Sequence, residues 1–102
     1  MIYIFWSCRD RDEAKRVIHL LLEKRLIACA SILLEVESIY RWEGKVEEAK
    51  EVKVILKSQK MHFEAVRSVI CEQGSYEVPE ICGMSVEMCN PSYLSWLAQE
   101  TY

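Results

Sequence analysis

The chain has 102 residues, of which 51% are hydrophobic and 28% charged, an ordinary composition for a globular domain. Its formal net charge of −3, with basic and acidic residues interleaved, excludes the positively charged footprint typical of nucleic-acid binding. No apolar run approaches the roughly 20 residues of a membrane-spanning helix. We therefore expect one domain, residues 1–102, with a small core.

Cysteine usage and the amino terminus indicate a reducing compartment. The five cysteines are odd in number and contain no Cys-x-x-Cys pair, which fits neither a disulfide framework nor a structural zinc site. The apolar run at residues 1–6 is too short for a signal peptide, and no basic segment precedes it. These features predict a cytoplasmic protein with free thiols.

The first predicted strand is apolar on both faces. Ile2, Ile4 and Trp6 lie on one face, and Tyr3 and Phe5 lie on the other. In a domain of this size, helices can cover only one face of the sheet. The second face therefore predicts a partner chain.

A helix is predicted over residues 12–27, and two long strands follow it. Residues 29–42 and 46–56 each alternate between apolar and polar side chains, as a half-buried hairpin does. If the even-numbered residues of both strands face one core, the loop must hold three residues. Glu43, Gly44 and Lys45 would then form it, with Gly44 at positive φ.

The hairpin is too long to lie within a compact domain. At about 3.3 Å per residue, a strand from Cys29 to Trp42 spans roughly 45 Å. The radius of gyration of a 100-residue domain is only about 13 Å. An arm that carries Tyr40 and Trp42 near its tip is expected to be covered, and we infer that it docks on another copy of the chain.

The second half repeats the pattern of helix and strand. A helix over residues 61–72 ends before Gly74, Pro79 keeps the next segment extended, and a strand follows over residues 81–89, with Cys82 interpreted as a small core residue. Asn90 and Pro91 suit the start of a final helix over residues 92–100. The order predicts an α+β, ferredoxin-like βαββαβ fold with an extended β2–β3 hairpin and a C-terminal helix.

Five segments of the chain resemble, in order and spacing, the CutA divalent-cation-tolerance proteins. The resemblance implies a homotrimer whose hairpins clasp neighbouring subunits, related in architecture to the trimeric PII signalling proteins. It also implies a response to divalent metals, with copper the cation most often named. The segments are Ala28-Cys29, Ser38–Lys45, Ile55–Lys57, Tyr76–Ile81 and the Asn90-Pro-x-Tyr-Leu-x-Trp96 motif.

The resemblance also identifies a candidate metal ligand. Cys8 occupies the position of a cysteine that is considered a metal ligand in some members of the family. Family members commonly carry histidine before the tyrosine of the second motif, whereas this chain has Gln73 and Gly74, so the nitrogen ligands of a Cys/His site are absent. Leu34 and Glu35 replace the usual Pro-Gly, a change that we expect to straighten the strand.

A ligand cavity is predicted between subunits. We assign one set of residues to this cavity and a second set to the trimer interface. A tyrosine, a lysine and a carboxylate around a thiol could bind a small anion or a metal; alternatively, Lys57 and Glu80 simply pair across a trimer interface. The cavity set is Cys29, Tyr40, Lys57, Tyr76 and Glu80. The trimer-interface set is Tyr3, Phe5, Tyr40, Trp42 and Trp96.

Three functions are compatible with these features. The first is a non-enzymatic, metal-responsive trimer that binds a cation or small ligand and signals by contact, with no obligatory cofactor. The second is a structural trimer that serves as an assembly platform. The third is an acylphosphatase-like hydrolase, which is disfavoured because Ser7-Cys8-Arg9-Asp10 contains a carboxylate where an anion cradle is needed.

Overall fold

The computed structural model describes all residues, Met1–Tyr102, and contains four strands and three α-helices. A short 3₁₀ turn, Lys60–His62, precedes the second helix. The order of elements is the one predicted for a ferredoxin-like fold. The elements are β1 (Ile2–Cys8), α1 (Arg11–Glu23), β2 (Cys29–Trp42), β3 (Lys45–Ser58), α2 (Phe63–Gln73), β4 (Ile81–Ser85) and α3 (Pro91–Glu100).

The four strands form one antiparallel sheet in the order β2-β3-β1-β4. β1 is central, and Ile4 pairs with Leu56 of β3 on one side and with Gly83 of β4 on the other. Both β2 and β4 are edge strands. Because paired residues point to the same face of a sheet, this register decides which side chains meet.

One face of the sheet packs on α1 and α2 and forms the core. The even-numbered residues of β1 and of the last part of β3 point to this face, and the apolar stripes of both helices cover it. Every member of the core is at most 8% exposed. The central members are Ile4, Trp6, Val54, Leu56, Val17, Leu21, Val66 and Ile70.

The opposite face, which we call the open face, carries apolar side chains that α1 and α2 do not cover. Tyr3 and Phe5 are half-buried there, and Phe5 pairs with Cys82 while Tyr3 pairs with Met84. The prediction that Cys82 belongs to the core is therefore wrong for the single chain, since its register partner Phe5 alternates with the core residues of β1. The prediction of two apolar faces on β1 is confirmed.

The β2–β3 hairpin extends beyond the rest of the sheet. β1 pairs with β3 only as far as Val52, so residues 36–51 form a two-stranded ribbon with no third strand. Its seven residue pairs span roughly 23 Å at about 3.3 Å each. The longest dimension of the molecule is 45 Å, against 26 and 22 Å for the other two.

Two predictions about the hairpin are wrong, and they have one cause. Trp42 pairs with Lys45, so the loop has two residues, Glu43 and Gly44, at φ 49° and 81°. A two-residue loop shifts the pairing of β2 with β3 by one residue relative to the predicted three-residue loop. An irregularity between Leu33 and Val36, where β2 has one extra residue, compensates for this shift. Glu35 adopts φ 52° there, as in a β-bulge, so the strand is bulged and not straightened.

Several element ends also differ from the predictions. α1 ends at Glu23 because Arg25 adopts φ 61°, and the backbone N–H of Leu26 donates to the carbonyl of Leu21 in a Schellman-type cap. β4 ends at Ser85, four residues early. The start of α3 is as expected, with Asn90 accepting a hydrogen bond from the Ser92 amide.

Candidate functional site

The main concave feature is a cleft between the hairpin and the segment of residues 74–80, which we call the strap. The cleft has a volume of about 660 Å³. Its walls combine aromatic rings with charged groups, a mixture typical of ligand sites. The lining residues used below are Ser7, Arg9, Tyr40, Trp42, Lys50, Glu51, Tyr76, Glu77 and Glu80.

The bulge is what places the two hairpin aromatics in the cleft. Beyond the bulge, Tyr40 pairs with Glu47 and Trp42 pairs with Lys45, so even-numbered residues of β2 share a face with odd-numbered residues of β3. That face continues the open face, because the even-numbered residues of β3 point to the core. The prediction that Tyr40 and Trp42 share a face with Val54 is therefore wrong.

A buried carboxylate on α1 fixes the beginning of the strap. Glu13 is only 5% exposed and accepts hydrogen bonds from the backbone amide of Ser75 at 2.8 Å and from its hydroxyl at 2.8 and 3.0 Å. Gly74 is required beside it because a Cβ would lie 2.8 Å from the carbonyl oxygen of Ile70. The strap thus leaves α2 in a single direction, along the wall of the cleft.

Glu80 fixes the other end of the strap. Its carboxylate accepts a hydrogen bond from the Ser7 hydroxyl at 2.8 Å and forms an ion pair with the Lys53 ammonium at 2.6 Å. The hydrogen bond from Lys53 is the main reason that the pKa of Glu80 lies below its usual range; the Ser7 hydroxyl adds to this, and partial burial opposes it. Glu80 is therefore ionised at neutral pH.

Tyr76 lies in the middle of the strap and points into the cleft. Burial raises the pKa of its phenol, and the neighbouring Glu51 carboxylate raises it further. The phenol remains protonated and can donate a hydrogen bond to Glu51. The cleft thus places an uncharged aromatic hydroxyl near a carboxylate.

The five residues predicted to line one cavity separate into two groups within the subunit. Tyr40, Tyr76 and Glu80 lie at the cleft, whereas Cys29 and Lys57 pair with each other at the opposite end of the hairpin. The Lys57 ammonium donates to the Ser31 hydroxyl at 2.7 Å and lies 5.8 Å from the centre of the Tyr3 ring. Within the subunit, Glu80 pairs with Lys53 and not with Lys57.

The second group centres on a thiol and a phenol. The Sγ atom of Cys29 lies 3.3 Å from the hydroxyl of Tyr93 on α3. This hydrogen bond, followed by burial, raises the pKa of Tyr93 to about 12. Tyr93 also packs on Trp96 with ring centroids 5.5 Å apart, and Trp96 keeps 40% of its surface exposed.

Cys8 lies in the core, and the side chains around it do not form a metal site. The side chain is fully buried, and its thiol donates to the backbone carbonyl of Asp10 at 3.5 Å. Burial, followed by the Glu13 and Asp10 carboxylates, raises the pKa of the thiol to about 12. Metals bind the thiolate, and Cys8 stays a thiol at neutral pH. No cluster of three or more His, Cys, Asp or Glu side chains in the chain has the spacing to hold a metal ion.

Four members of the site are not among the residues predicted from the sequence: Ser7, Glu13, Glu51 and Lys53. Ser7 and Lys53 are register partners on the open face, and β1 parity alone places Ser7 with Phe5. The alternation of side chains along β1 was therefore enough to place Ser7 on the open face. Glu13 carries no comparable signal, because an acidic residue in the first turn of a helix is usually solvated.

The fold and its cleft define a class of protein, a ferredoxin-like α+β subunit with a projecting hairpin and a ligand-sized cavity beside it. The family model of the CutA1 divalent ion tolerance protein matches residues 2–100. The chain belongs to this family, which associates it with divalent-cation tolerance.

Individual relatives agree with this assignment over nearly the full length. The chain is 43% identical to the divalent-cation tolerance protein CutA of Pyrococcus horikoshii, covering 99% of this chain and 98% of that one. Among solved structures, the divalent cation tolerance protein of Thermus thermophilus has a TM-score of 0.96 at 30% identity, with both chains fully covered. The periplasmic CutA of Archaeoglobus fulgidus has a TM-score of 0.94 at 34% identity, covering 98% of each chain. No helix of the present chain is both long and apolar enough to span a bilayer.

Proposed function

We propose that this protein serves divalent-cation tolerance as a non-enzymatic homotrimer. It binds a cation or small ligand in the cleft and signals the bound state through surface contacts. The single observation that carries the proposal is that the cleft lies alongside the unpartnered hairpin. A neighbouring subunit that covered Tyr40 and Trp42 would also close the cleft.

Self-association is supported by two parts of one continuous face, the ribbon and the open face. An isolated two-stranded ribbon is at best marginally stable in water, and the ribbon here exposes 40% of Trp42 and 43% of Tyr40. The open face adds Tyr3 and Phe5. The number of three subunits, and the likeness to PII signalling proteins, come from the family resemblance.

A hydrolase receives no support from the turn after β1. The Asp10 side chain accepts a hydrogen bond from the Glu13 amide at 2.8 Å and so occupies the amino terminus of α1. A carboxylate at this position repels an anionic substrate. The relatives are named as tolerance proteins, in agreement with a non-enzymatic role.

Copper is the cation that the family resemblance names. We do not include Cys8 among its proposed ligands, because the thiol is buried and protonated. Calorimetric titration with Cu(II), and with Cu(I) under reducing conditions, tests the metal directly. We expect Cys8→Ser to leave any copper affinity within about two-fold, with Cys71→Ser as the exposed-thiol control. A loss of copper binding in Cys8→Ser alone, with the melting temperature retained, would restore Cys8 as a ligand.

Sedimentation velocity at micromolar concentration tests the assembly. We expect a single species with the mass of three chains. A compact, folded monomer would contradict the proposal, whatever ligand it binds.

Location in the cytoplasm is also proposed, and a relative from A. fulgidus is described as periplasmic. Subcellular fractionation with an antibody against the native protein distinguishes the two compartments. We expect the protein in the cytoplasmic fraction.

A further inference from the structure

We propose that Cys29 and Cys89 form a redox-active pair, which a hydroperoxide oxidises to a disulfide within one subunit. The inference goes beyond the proposed function, since it requires neither a bound metal nor assembly. Three features carry it: the position of both cysteines around one phenol, the freedom of the segment that holds Cys89, and the separation of the other cysteines from Cys29.

The Tyr93 phenol brings the two thiols into one neighbourhood. Its oxygen lies 3.3 Å from the Sγ atom of Cys29. Side chains of a helix lean toward its amino terminus, so the Tyr93 ring reaches back toward the residues that lead into α3, Cys89 among them. The raised pKa of Tyr93 is due first to its hydrogen bond with Cys29, and Cys89 adds a smaller electrostatic effect. Both thiols therefore lie within range of the same hydroxyl group.

The segment of residues 86–90 leaves Cys89 free to approach Cys29. It follows β4 without regular secondary structure, and residues 87–89 form no backbone–backbone hydrogen bond. The neighbouring Met88 is 85% exposed, so little packing holds the segment in place. The Cys89 thiol donates only to the adjacent Asn90 carbonyl, at 3.4 Å, and a side-chain rotation breaks this local contact. A disulfide needs Cα atoms about 4.4–6.8 Å apart, and a segment with so few contacts can move to that distance.

No other cysteine can replace Cys89 as the partner within the subunit. Cys29 lies on the edge strand β2 and Cys82 on β4 at the other edge, three strand spacings or about 14 Å away. Cys8 is fully buried in the core. Cys71 is on α2, which packs on the opposite face of the sheet.

Cys29 has the surroundings of the thiol that reacts first. It is partly exposed, which admits a molecule as small as hydrogen peroxide. The Tyr93 hydroxyl can donate to the sulfur once Cys29 has lost its proton, and hydrogen bonds to charged acceptors are the stronger ones. Lys57, directly opposite Cys29 in the β2–β3 register, donates to the Ser31 hydroxyl and forms no ion pair. No carboxylate therefore neutralises its positive charge.

The reaction consumes one hydroperoxide for each disulfide. The Cys29 thiolate attacks the terminal peroxide oxygen, the O–O bond breaks, and the other oxygen leaves as water or an alcohol after taking a proton. Cys29 is then a sulfenic acid. The Cys89 thiol attacks this sulfur, the S–O bond breaks, and water leaves. The two thiols thus lose two electrons and two protons to the peroxide.

The disulfide would change the surface of α3. It removes the hydrogen bond between Cys29 and Tyr93, and Tyr93 packs on Trp96, which is 40% exposed. The oxidation state of the pair is therefore transmitted to an exposed aromatic side chain. In a reducing compartment such a disulfide is transient, as redox-sensing disulfides are.

Peptide mass spectrometry of the full-length protein under non-reducing conditions tests the pair. After hydrogen peroxide treatment and alkylation of the remaining thiols, we expect a peptide that joins Cys29 to Cys89, and a denaturing gel that shows the mass of one chain. Dithiothreitol should reverse the link. Two free thiols, separate oxidation of each cysteine, or a link between two copies of the chain would overturn the proposal.

Cys89→Ala removes the second thiol, and Cys71→Ala is the matched control. Cys89→Ala should lose the cross-link and leave Cys29 as a sulfenic acid that dimedone labels, whereas Cys71→Ala should form the cross-link as wild type does. Circular dichroism establishes that both variants are folded. Equal dimedone labelling of Cys29 in wild type and in Cys89→Ala would show that Cys89 does not react with the sulfenic acid, and would reject the pair.

Discussion

At the scale of single residues, the strap of this protein is held by carboxylates in different settings. Glu13 is buried and accepts three hydrogen bonds from one serine, whereas Glu80 is partly exposed and shares a lysine and a serine. Removing the hydrogen-bond donors of a buried carboxylate costs more free energy than removing those of an exposed one, because water cannot reach the buried group to replace the lost hydrogen bonds. The two ends of the strap should therefore respond differently to mutation.

Lys53→Gln should raise the pKa of Glu80. The Lys53 ammonium is the largest cause of the lowered value, and the substitution removes its charge. An NMR titration of the Glu80 carboxyl carbon measures the change. Lys24→Gln, at the exposed end of α1 and outside the cleft, is the control and should leave the pKa of Glu80 where it is.

The same ion pair gives a defined but small pH dependence. Since the folded-state pKa of Glu80 lies below its unfolded value, the stabilisation is present at neutral pH and is lost as the pH falls through the folded-state pKa. With Glu80 and Lys53 both partly exposed, the pair contributes well under about 1 kcal/mol. Urea unfolding at neutral pH and at pH 4 measures this dependence. The free energy of unfolding should fall more on acidification in wild type than in Lys53→Gln.

Cys8 should resist alkylation in the native protein. Its thiol is fully buried and has a pKa raised to about 12, so it offers neither access nor thiolate at pH 8. Iodoacetamide followed by peptide mass spectrometry should label the exposed Cys71 first and Cys8 only after unfolding. Labelling of both at one rate would show that the core opens near Cys8.

At the scale of elements, the strap depends on α1, although its own sequence is short and irregular. Glu13→Ala should destabilise the protein by about 1–3 kcal/mol, because the amide of Ser75 loses its acceptor in a partly buried position. Urea unfolding measures the effect. Glu23→Ala, at the exposed end of the same helix, should stay within about 0.5 kcal/mol of wild type.

At the scale of the whole molecule, the subunit has a complete core on one face and an uncovered apolar surface on the other. Phe5→Glu should abolish self-association, because it places a charge at the centre of the open face. Sedimentation velocity measures the mass, and circular dichroism confirms that the monomer is folded.

The control for this variant is Leu22→Glu on α1. Leu22 is 37% exposed, on the helical side of the molecule away from the open face. We expect this variant to retain the wild-type mass. If both variants became monomeric, the open face would not be the surface that associates.

The periodicity of the sequence determined the order of elements, the core face of β1 and the length of the hairpin, since each depends on residues close together in the chain. The tertiary structure decided the rest. Ser7 faces Lys53 in the β1–β3 register, so Glu80 meets Lys53 and not Lys57. The bulge at Glu35 likewise turns Tyr40 and Trp42 toward the cleft. A shift of one residue in strand pairing reverses the face of every side chain that follows, and only packing between distant segments fixes that shift.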